Sequence, residues 1–152
     1  MCDYCDCRSH PQIAALSDDH ERLLALLSEL AAAVDGDHQD TAAELVIELA
    51  ELLEPHATRE ERGVFTQLRS IILDDAYVAM FEHDHDAVHR LLRECAGDDW
   101  RRPANELVHV LREHILREET DLFPAAHQML APPQWTAVDA AVSLVSTQDL
   151  RT

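Results

Sequence analysis

Apolar residues recur at three- and four-residue steps along most of this 152-residue chain, and no run alternates apolar with polar residues as a half-buried strand does. Steps of three and four place side chains on one face of an α-helix. Good helix formers dominate the composition, and the chain contains only three glycines. The sequence therefore predicts an all-α protein.

Four of the apolar stretches are long enough for bundle helices and have short connections, which predicts an up-down-up-down four-helix bundle. The starts of these helices are predicted from capping residues and proline at Ser17, Thr41, either Asp74 or Asp75, and Pro103. The fourth helix is predicted to end before Pro124.

A shorter fifth helix is predicted after Pro132, packed on the outside or the end of the bundle. The chain then divides into three parts. Residues 1–15 form a Cys-rich N-terminal leader, residues 16–127 form the bundle, and residues 128–152 form the C-terminal helix and tail.

The strong acidic excess limits the partners of this chain. There are 30 acidic and 12 basic residues, a formal net charge of −18. Such a surface repels phosphate backbones and anionic lipid, so we expect neither nucleic acid nor membrane as a partner. No apolar stretch approaches the roughly 20 residues that a spanning helix needs, and the N-terminus does not resemble a signal peptide. We therefore expect a cytoplasmic protein.

Histidine and glutamate interrupt all four apolar stripes at core-facing positions. Residues four apart on a helix share one face, with Cβ atoms about 6 Å apart. A His-x-x-x-Glu pair can thus place an imidazole on a metal ion while the carboxylate reaches a bridging position. The interrupting residues, in chain order, are His20, His56, Glu60, His85, His114 and Glu118, with His89 four residues beyond His85.

These residues together predict a metal centre. A single core-facing histidine is more often a hydrogen-bonded structural residue. Five imidazoles and two carboxylates buried in one core, however, carry a large desolvation cost unless a cation pairs with them. Imidazole and carboxylate without thiolate suit iron or manganese better than a cysteine-based zinc site.

This ordered set of residues resembles the hemerythrin/HHE cation-binding family. The likeness includes His20, the pair His56-x-x-x-Glu60, a third-helix histidine and the pair His114-x-x-x-Glu118, and it covers about residues 17–125. The runs that follow the two glutamates are also similar to the family's sequence. The resemblance implies a four-helix bundle with two iron ions in an oxo- or hydroxo-bridged di-iron centre.

The resemblance also implies how the ligands are divided. One iron would be held by His85, His89 and His114, and the other by His20 and His56, which leaves an open position for a small ligand. Glu60 and Glu118 would bridge the two irons.

Three alternatives stay open at this point. Glu119 competes with Glu118 for the bridging role, although it lies off the apolar stripe. In the third helix, His83 competes with His89 for the place beside His85, and the alternative role of His89 is that of a hydrogen-bonded neighbour. The last bridging residue of oxygen-carrying hemerythrins is typically Asp at a longer spacing, so Glu118 is closer to the bacterial and regulatory branch and argues against reversible oxygen carriage.

The resemblance is compatible with three functions. The first is binding or sensing of O2, NO or peroxide at the open position, in a dry pocket formed by Leu24, Leu53, Leu111 and Ile115. The second is a di-iron enzyme with catalase- or peroxidase-like or NO-detoxifying activity, for which Tyr77 is the only nearby phenol. The third, storage or handling of iron, is disfavoured because transit sites favour carboxylates over imidazoles. The oligomeric state, monomer or dimer, stays open.

The leader contains Cys2, Cys5 and Cys7, followed by His10. This cluster is compatible with a second metal site, such as one for a zinc ion, or with a redox thiol cluster. The alternative is a flexible tail with reduced thiols. Cys95 lies on an apolar stripe and is predicted to be a core residue.

Overall fold

The computed structural model describes residues 6–149 of the chain, with side chains to residue 145. All regular structure within that range is helical. A 3-10 turn, Cys7–Ser9, precedes α1, Pro11–Asp35. The second helix, α2, begins as Gln39–Glu60, passes through a π-helical turn at Glu61–Phe65 and ends as Thr66–Ile71.

Three further helices follow. The third, α3, spans Asp75–Glu94. The fourth, α4, begins as Arg101–Arg117, passes through a second π-helical turn at Glu118–Leu122 and ends as Phe123–Met129. The fifth, α5, spans Pro132–Asp149. This confirms the predicted all-α architecture of a four-helix bundle with a fifth C-terminal helix; of the predicted Cys-rich leader, only Cys7 lies in the described range.

The bundle packs α1 against α2 and α4, and α3 mainly against α4. Its buried side chains form two apolar clusters at different levels along the helices. The first cluster includes Leu27, Leu49 and Leu107. The second includes Phe65 and Phe123 and takes in Val138 of α5. Between the stretches that build these clusters lie His20, His56, Glu60, His85 and Glu118, while His114 and His89 lie at the edge of the first cluster.

The first helix starts earlier than predicted. It begins at Pro11 rather than at Ser17, because Ile13 and Leu16 extend the apolar face by more than a turn into the second cluster. Proline suits this start because it lacks a backbone N–H, and the N–H groups of the first turn have no acceptor within the helix. Residues 11–15, which the sequence assigned to the leader, are therefore part of a bundle helix.

Two other helix predictions were also inexact. The fourth helix continues past Pro124 to Met129, because this proline directly follows a π-helical turn, where the hydrogen-bond register changes. In the third helix Leu91 is fully buried, whereas Leu92, which the apolar spacing places on the core face, is only partly buried. The Asp74 cap is confirmed, since its side chain accepts a hydrogen bond from Ala76 N at 3.0 Å.

The fifth helix packs against the π-helical turn that follows Glu60. A Cβ at Gly63 would lie 3.2 Å from Val138 Cγ1 and 3.7 Å from Val142 Cγ2, so the absent side chain allows this close approach. Helix α5 thus braces the segment that carries one of the predicted glutamate ligands. Within the described residues, none of these helices has the length and apolar character needed to cross a membrane.

Candidate metal centre

Two groups of buried residues offer ligand atoms to a metal ion. The first metal group consists of His20, His56, Glu60 and Glu118, and the second of Glu60, His85, His114 and Glu118. Within each group, one ligand atom per residue lies within 4.8 Å of the others. The structure thus brings together six of the seven predicted ligands, and both glutamates belong to both groups.

Each glutamate presents one carboxylate oxygen to each group. Glu60 Oε1 lies 2.9 Å from His56 Nε2, while Glu60 Oε2 lies 3.1 Å from His85 Nε2. Glu118 Oε1 lies 3.1 Å from His114 Nε2, and Glu118 Oε2 lies 3.1 Å from His20 Nε2. A carboxylate placed in this way can bridge two metal ions.

The donor set fits a pair of cations. The four oxygens of Glu60 and Glu118 are buried, and none of them accepts a hydrogen bond of ordinary geometry from the described residues. Such oxygens are costly to bury unless a cation binds them. The imidazoles also converge in pairs, with Nε2 of His20 and His56 3.1 Å apart and Nε2 of His85 and His114 3.2 Å apart.

One imidazole of each group is oriented by an aspartate. His56 Nδ1 lies 3.1 Å from Asp19 Oδ2, and His114 Nδ1 lies 3.1 Å from Asp84 Oδ2. Each aspartate also pairs with an arginine of the ligand helix, Arg59 in α2 and Arg117 in α4. Carboxylates that hydrogen-bond the second nitrogen of a ligating histidine fix the ring orientation and raise its basicity.

The other imidazole of each group is oriented by a glutamate. His20 Nδ1 lies 2.7 Å from Glu119 Oε1, and His85 Nδ1 lies 2.8 Å from Glu61 Oε1. Glu119, which the sequence left as an alternative bridge, therefore supports a ligand from outside both groups. The two glutamates differ in environment, since the side chain of Glu119 is 8% exposed and that of Glu61 is 44% exposed.

An internal repeat underlies this arrangement. The sequence His-x-x-Arg-Glu-Glu-x-x-x-Phe occurs at 56–65 and again at 114–123, and Asp-His occurs at 19–20 and 84–85. The aromatic residues of the repeat form walls of the site: Phe65 stacks on His85 and Phe123 stacks on His20, each with ring centroids 5.5 Å apart.

The supporting roles of the aspartates, of the two arginines and of Glu61 were not predicted from the sequence. The repeated ten-residue pattern was the signal that could have revealed them, because it pairs each ligand with the same neighbours twice.

The electrostatics of the centre favour protonated imidazoles next to ionised carboxylates. Burial disfavours the charged imidazole, but Glu60 and Glu61 outweigh it and raise the pKa of His85 to about 10. Burial is likewise outweighed at His114, whose pKa rises to about 9 through Glu118 and Asp84. The pKa of Glu60 is held well below its ordinary value by the surrounding imidazoles, against the effect of burial. A metal ion would replace these protons.

A small cavity adjoins all four imidazoles of the two groups. The space open to the centre of a water-sized sphere is about 10 Å³, which is close to the minimum that one water needs. The remaining wall is apolar except for His89. The apolar wall residues are Leu23, Leu53, Ala57, Val88, Leu111 and Ile115.

Of the four residues predicted to form a dry pocket, Leu24 does not line this cavity. It packs, partly buried, against the first apolar cluster. Tyr77 also lies away from the cavity wall, stacked edge-on against Phe81 with centroids 5.7 Å apart. Burial raises the pKa of this phenol to about 12.

The seventh predicted ligand, His89, lies outside both metal groups. Its side chain is exposed, as is that of His83. The unequal division of imidazoles implied by the resemblance depends on His89, whereas the two groups in the structure contain two imidazoles each.

The predicted cysteine site has no support in the part of the chain that is described. Cys2 and Cys5 lie outside it, and Cys7 is buried in the second apolar cluster. Among the described residues no cysteine belongs to a group that could hold a metal. Nearby, His10 Nε2 lies 3.0 Å from His127 Nδ1, and the His10 ring stacks on Trp135. Cys95 is buried in the first cluster, as predicted.

Comparison with known proteins agrees with this centre. The family model described as the hemerythrin HHE cation binding domain matches residues 12–126. Neither the curated proteins nor the solved structures compared with the chain gave a significant match. The matched region contains all six residues of the two metal groups together with their orienting carboxylates. The chain therefore belongs to the hemerythrin HHE cation-binding family.

Proposed function

We propose that this protein is a non-haem di-iron protein of hemerythrin type that binds or senses O2, NO or peroxide. The observation that carries this proposal is the cavity beside the four imidazoles, whose wall is apolar apart from His89 and whose volume is close to the minimum that one water needs, so that only a very small ligand fits. A site built for a large organic substrate needs several hundred Å³. The nitrogen and oxygen donors of the two groups are those that iron accepts.

When bound, a pair of irons would supply redox chemistry and an open coordination position. The chain's own residues have three roles. The imidazoles and the two glutamates hold the metals, the aspartates and Glu119 orient the imidazoles, and the apolar wall limits water around the ligand. Such a wall favours small uncharged ligands over hydrated ions.

A second candidate is a di-iron enzyme that disproportionates peroxide or detoxifies NO. Such an enzyme needs a proton donor at the ligand position. Tyr77 does not line the cavity, but His89 does. Storage of iron is less well supported, because the two groups share both glutamates and so form one fixed centre. The cytoplasmic location stays a prediction from the sequence.

The proposal is tested first on aerobically purified protein. We expect about two irons per chain, the number that two carboxylate-bridged groups can hold, and near-ultraviolet charge-transfer bands that shift when azide or NO is added. A colourless protein that carries only zinc would contradict the proposal. Peroxide turnover by the same sample would favour the enzyme over the sensor.

A cavity-filling variant tests where the ligand binds. Ala57→Leu adds three carbons to the cavity wall, whereas Ala43→Leu makes the same change at an exposed position of the same helix. We expect Ala57→Leu to retain its iron and to lose most of its affinity for azide and NO, while Ala43→Leu binds both as the unmodified protein does. Equal ligand affinity in all three proteins would place the ligand elsewhere.

A further inference from the structure

We propose that His89 forms the mouth of the ligand cavity and hydrogen-bonds the ligand that enters, rather than acting as a third imidazole on one metal. This inference rests on the proposed function, since it concerns the ligand of the same centre. It differs from the ligand division that the family resemblance implies for this histidine.

The first observation is exposure. Every other described residue that lines the cavity is buried, whereas the side chain of His89 is exposed. Because His89 contacts both the cavity and the solvent, only this side chain separates the two at that point. The cavity therefore opens at His89.

The second observation is the internal repeat. The segment that begins Asp84-His85 corresponds to the segment that begins Asp19-His20, and His89 occupies the position of Leu24. Leu24 does not line the cavity and packs against the first apolar cluster. The repeat thus places an apolar residue on one side of the centre and an ionisable residue at the matching position on the other side.

The third observation is the packing around His89. Helix α3 packs mainly against α4 and makes a much smaller contact with α2, so the seam between α2 and α3 is the open one. Across this seam α2 contributes Ala57, the smallest residue of the cavity wall, and the half-exposed Glu61. Glu61 Oε1 lies 2.8 Å from Nδ1 of His85, one helical turn before His89, and so adds a second polar group on this side of the centre.

The chemistry of the mouth selects among small ligands. An imidazole can donate or accept a hydrogen bond, and apart from the metal ligands it is the only polar side chain of the described cavity wall. A ligand with strong acceptor or donor atoms, such as azide or peroxide, gains from this contact, whereas a weakly hydrogen-bonding gas such as NO gains little.

The test compares His89→Leu, which copies the residue of the other repeat, with Leu24→Ala as the matched control. We expect both variants to keep about two irons per chain. We expect His89→Leu to bind azide about tenfold more weakly, the effect of one lost hydrogen bond of ~1.4 kcal/mol, with NO affinity changed less than about twofold. Leu24→Ala should leave the ratio of the two affinities unchanged.

Three results would overturn the inference. Loss of iron in His89→Leu would make His89 a ligand. Equal changes in azide and NO affinity, or no change in either, would remove its hydrogen-bonding role.

A second measurement does not depend on ligand binding. Uptake of ferrous iron by metal-free protein should be slowed several-fold by His89→Trp, which covers the mouth, and not by Leu24→Trp. Equal uptake rates would show that the cavity opens elsewhere. If the unmodified protein takes up iron with this dependence but binds neither azide nor NO, the proposed function fails while the mouth is retained.

Discussion

The two metal groups have the same ligands and the same supporting carboxylates, yet they are enclosed differently. In the first, His20 is oriented by Glu119, which is buried, and the partly buried Leu24 packs against the first apolar cluster. In the second, His85 is oriented by Glu61, which is half exposed, and His89 is exposed. The first group is therefore more enclosed than the second, although both offer the same kinds of ligand atom.

Replacing either of the two shared glutamates should have the largest effect, because each of them belongs to both groups. We expect Glu60→Ala and Glu118→Ala each to reduce the metal content from about two per chain to almost none. Elemental analysis of the purified proteins measures this, with Glu51→Ala, an exposed change in α2, as the control. Retention of one metal by either variant would mean that the groups bind independently.

Unfolding of the metal-free protein tests the electrostatics of the second group, which contains His85 and His114. The raised pKa values of His85, about 10, and His114, about 9, stabilise the folded metal-free protein fully below the ordinary histidine value of 6.5. This stability is lost as pH rises towards about 10, at up to ~1.4 kcal/mol per pH unit for each imidazole. Urea unfolding at pH 6 to 10 measures it. The metal-loaded protein, whose imidazoles carry no such protons, should lack this slope.

Replacing the orienting aspartates tests a feature that the two groups share, a carboxylate that contacts both an imidazole and an arginine. Asp19→Ala and Asp84→Ala each remove a carboxylate that lies beside both an imidazole and an arginine. We expect each to weaken metal binding by about 10- to 100-fold, and by similar factors, because the two environments match. Competition with a chelator measures the affinities, and Asp40→Ala at an exposed position is the control. A large difference between the two variants would show that the two aspartates do not support their histidines equally.

The orienting glutamates test where the groups differ, and here we expect the smallest effects. Glu119→Gln removes a buried charge that pairs with His20 and should weaken metal binding by about tenfold. Glu61→Gln changes a carboxylate that water already screens, so less than about threefold is expected. The same chelator competition applies. Equal losses would show that the difference in exposure has no consequence for the metals.

The sequence predicted which histidines and glutamates come together better than it predicted their surroundings. Helical spacing was enough to align His56 with Glu60 and His114 with Glu118, because residues four apart must share a face. The same reasoning could not distinguish His89 from a ligand, since it also lies four residues from His85. Whether it points to a metal or to solvent depends on how closely α2 and α3 approach, which is a tertiary property.

The predicted helix boundaries were inexact for a related reason. Capping residues predicted a start at Ser17, but the apolar face continues to Ile13, and the energy of burying a side chain of this size exceeds that of a cap. The π-helical turns at Glu61–Phe65 and Glu118–Leu122 could not be predicted from apolar spacing, because they change the period of the helix only locally.

These two turns connect the metal groups in a way that the shared glutamates alone do not. At the end of its turn, α2 places Phe65 on His85 of the second group, although its own histidine belongs to the first; α4 does the reverse with Phe123 and His20. Each long helix thus gives its histidine to one group and packs a phenylalanine against a histidine of the other. A shift of one helix during loading, oxidation or ligand binding would be transmitted to both positions, so the centre should respond to its ligand as a single mechanical unit.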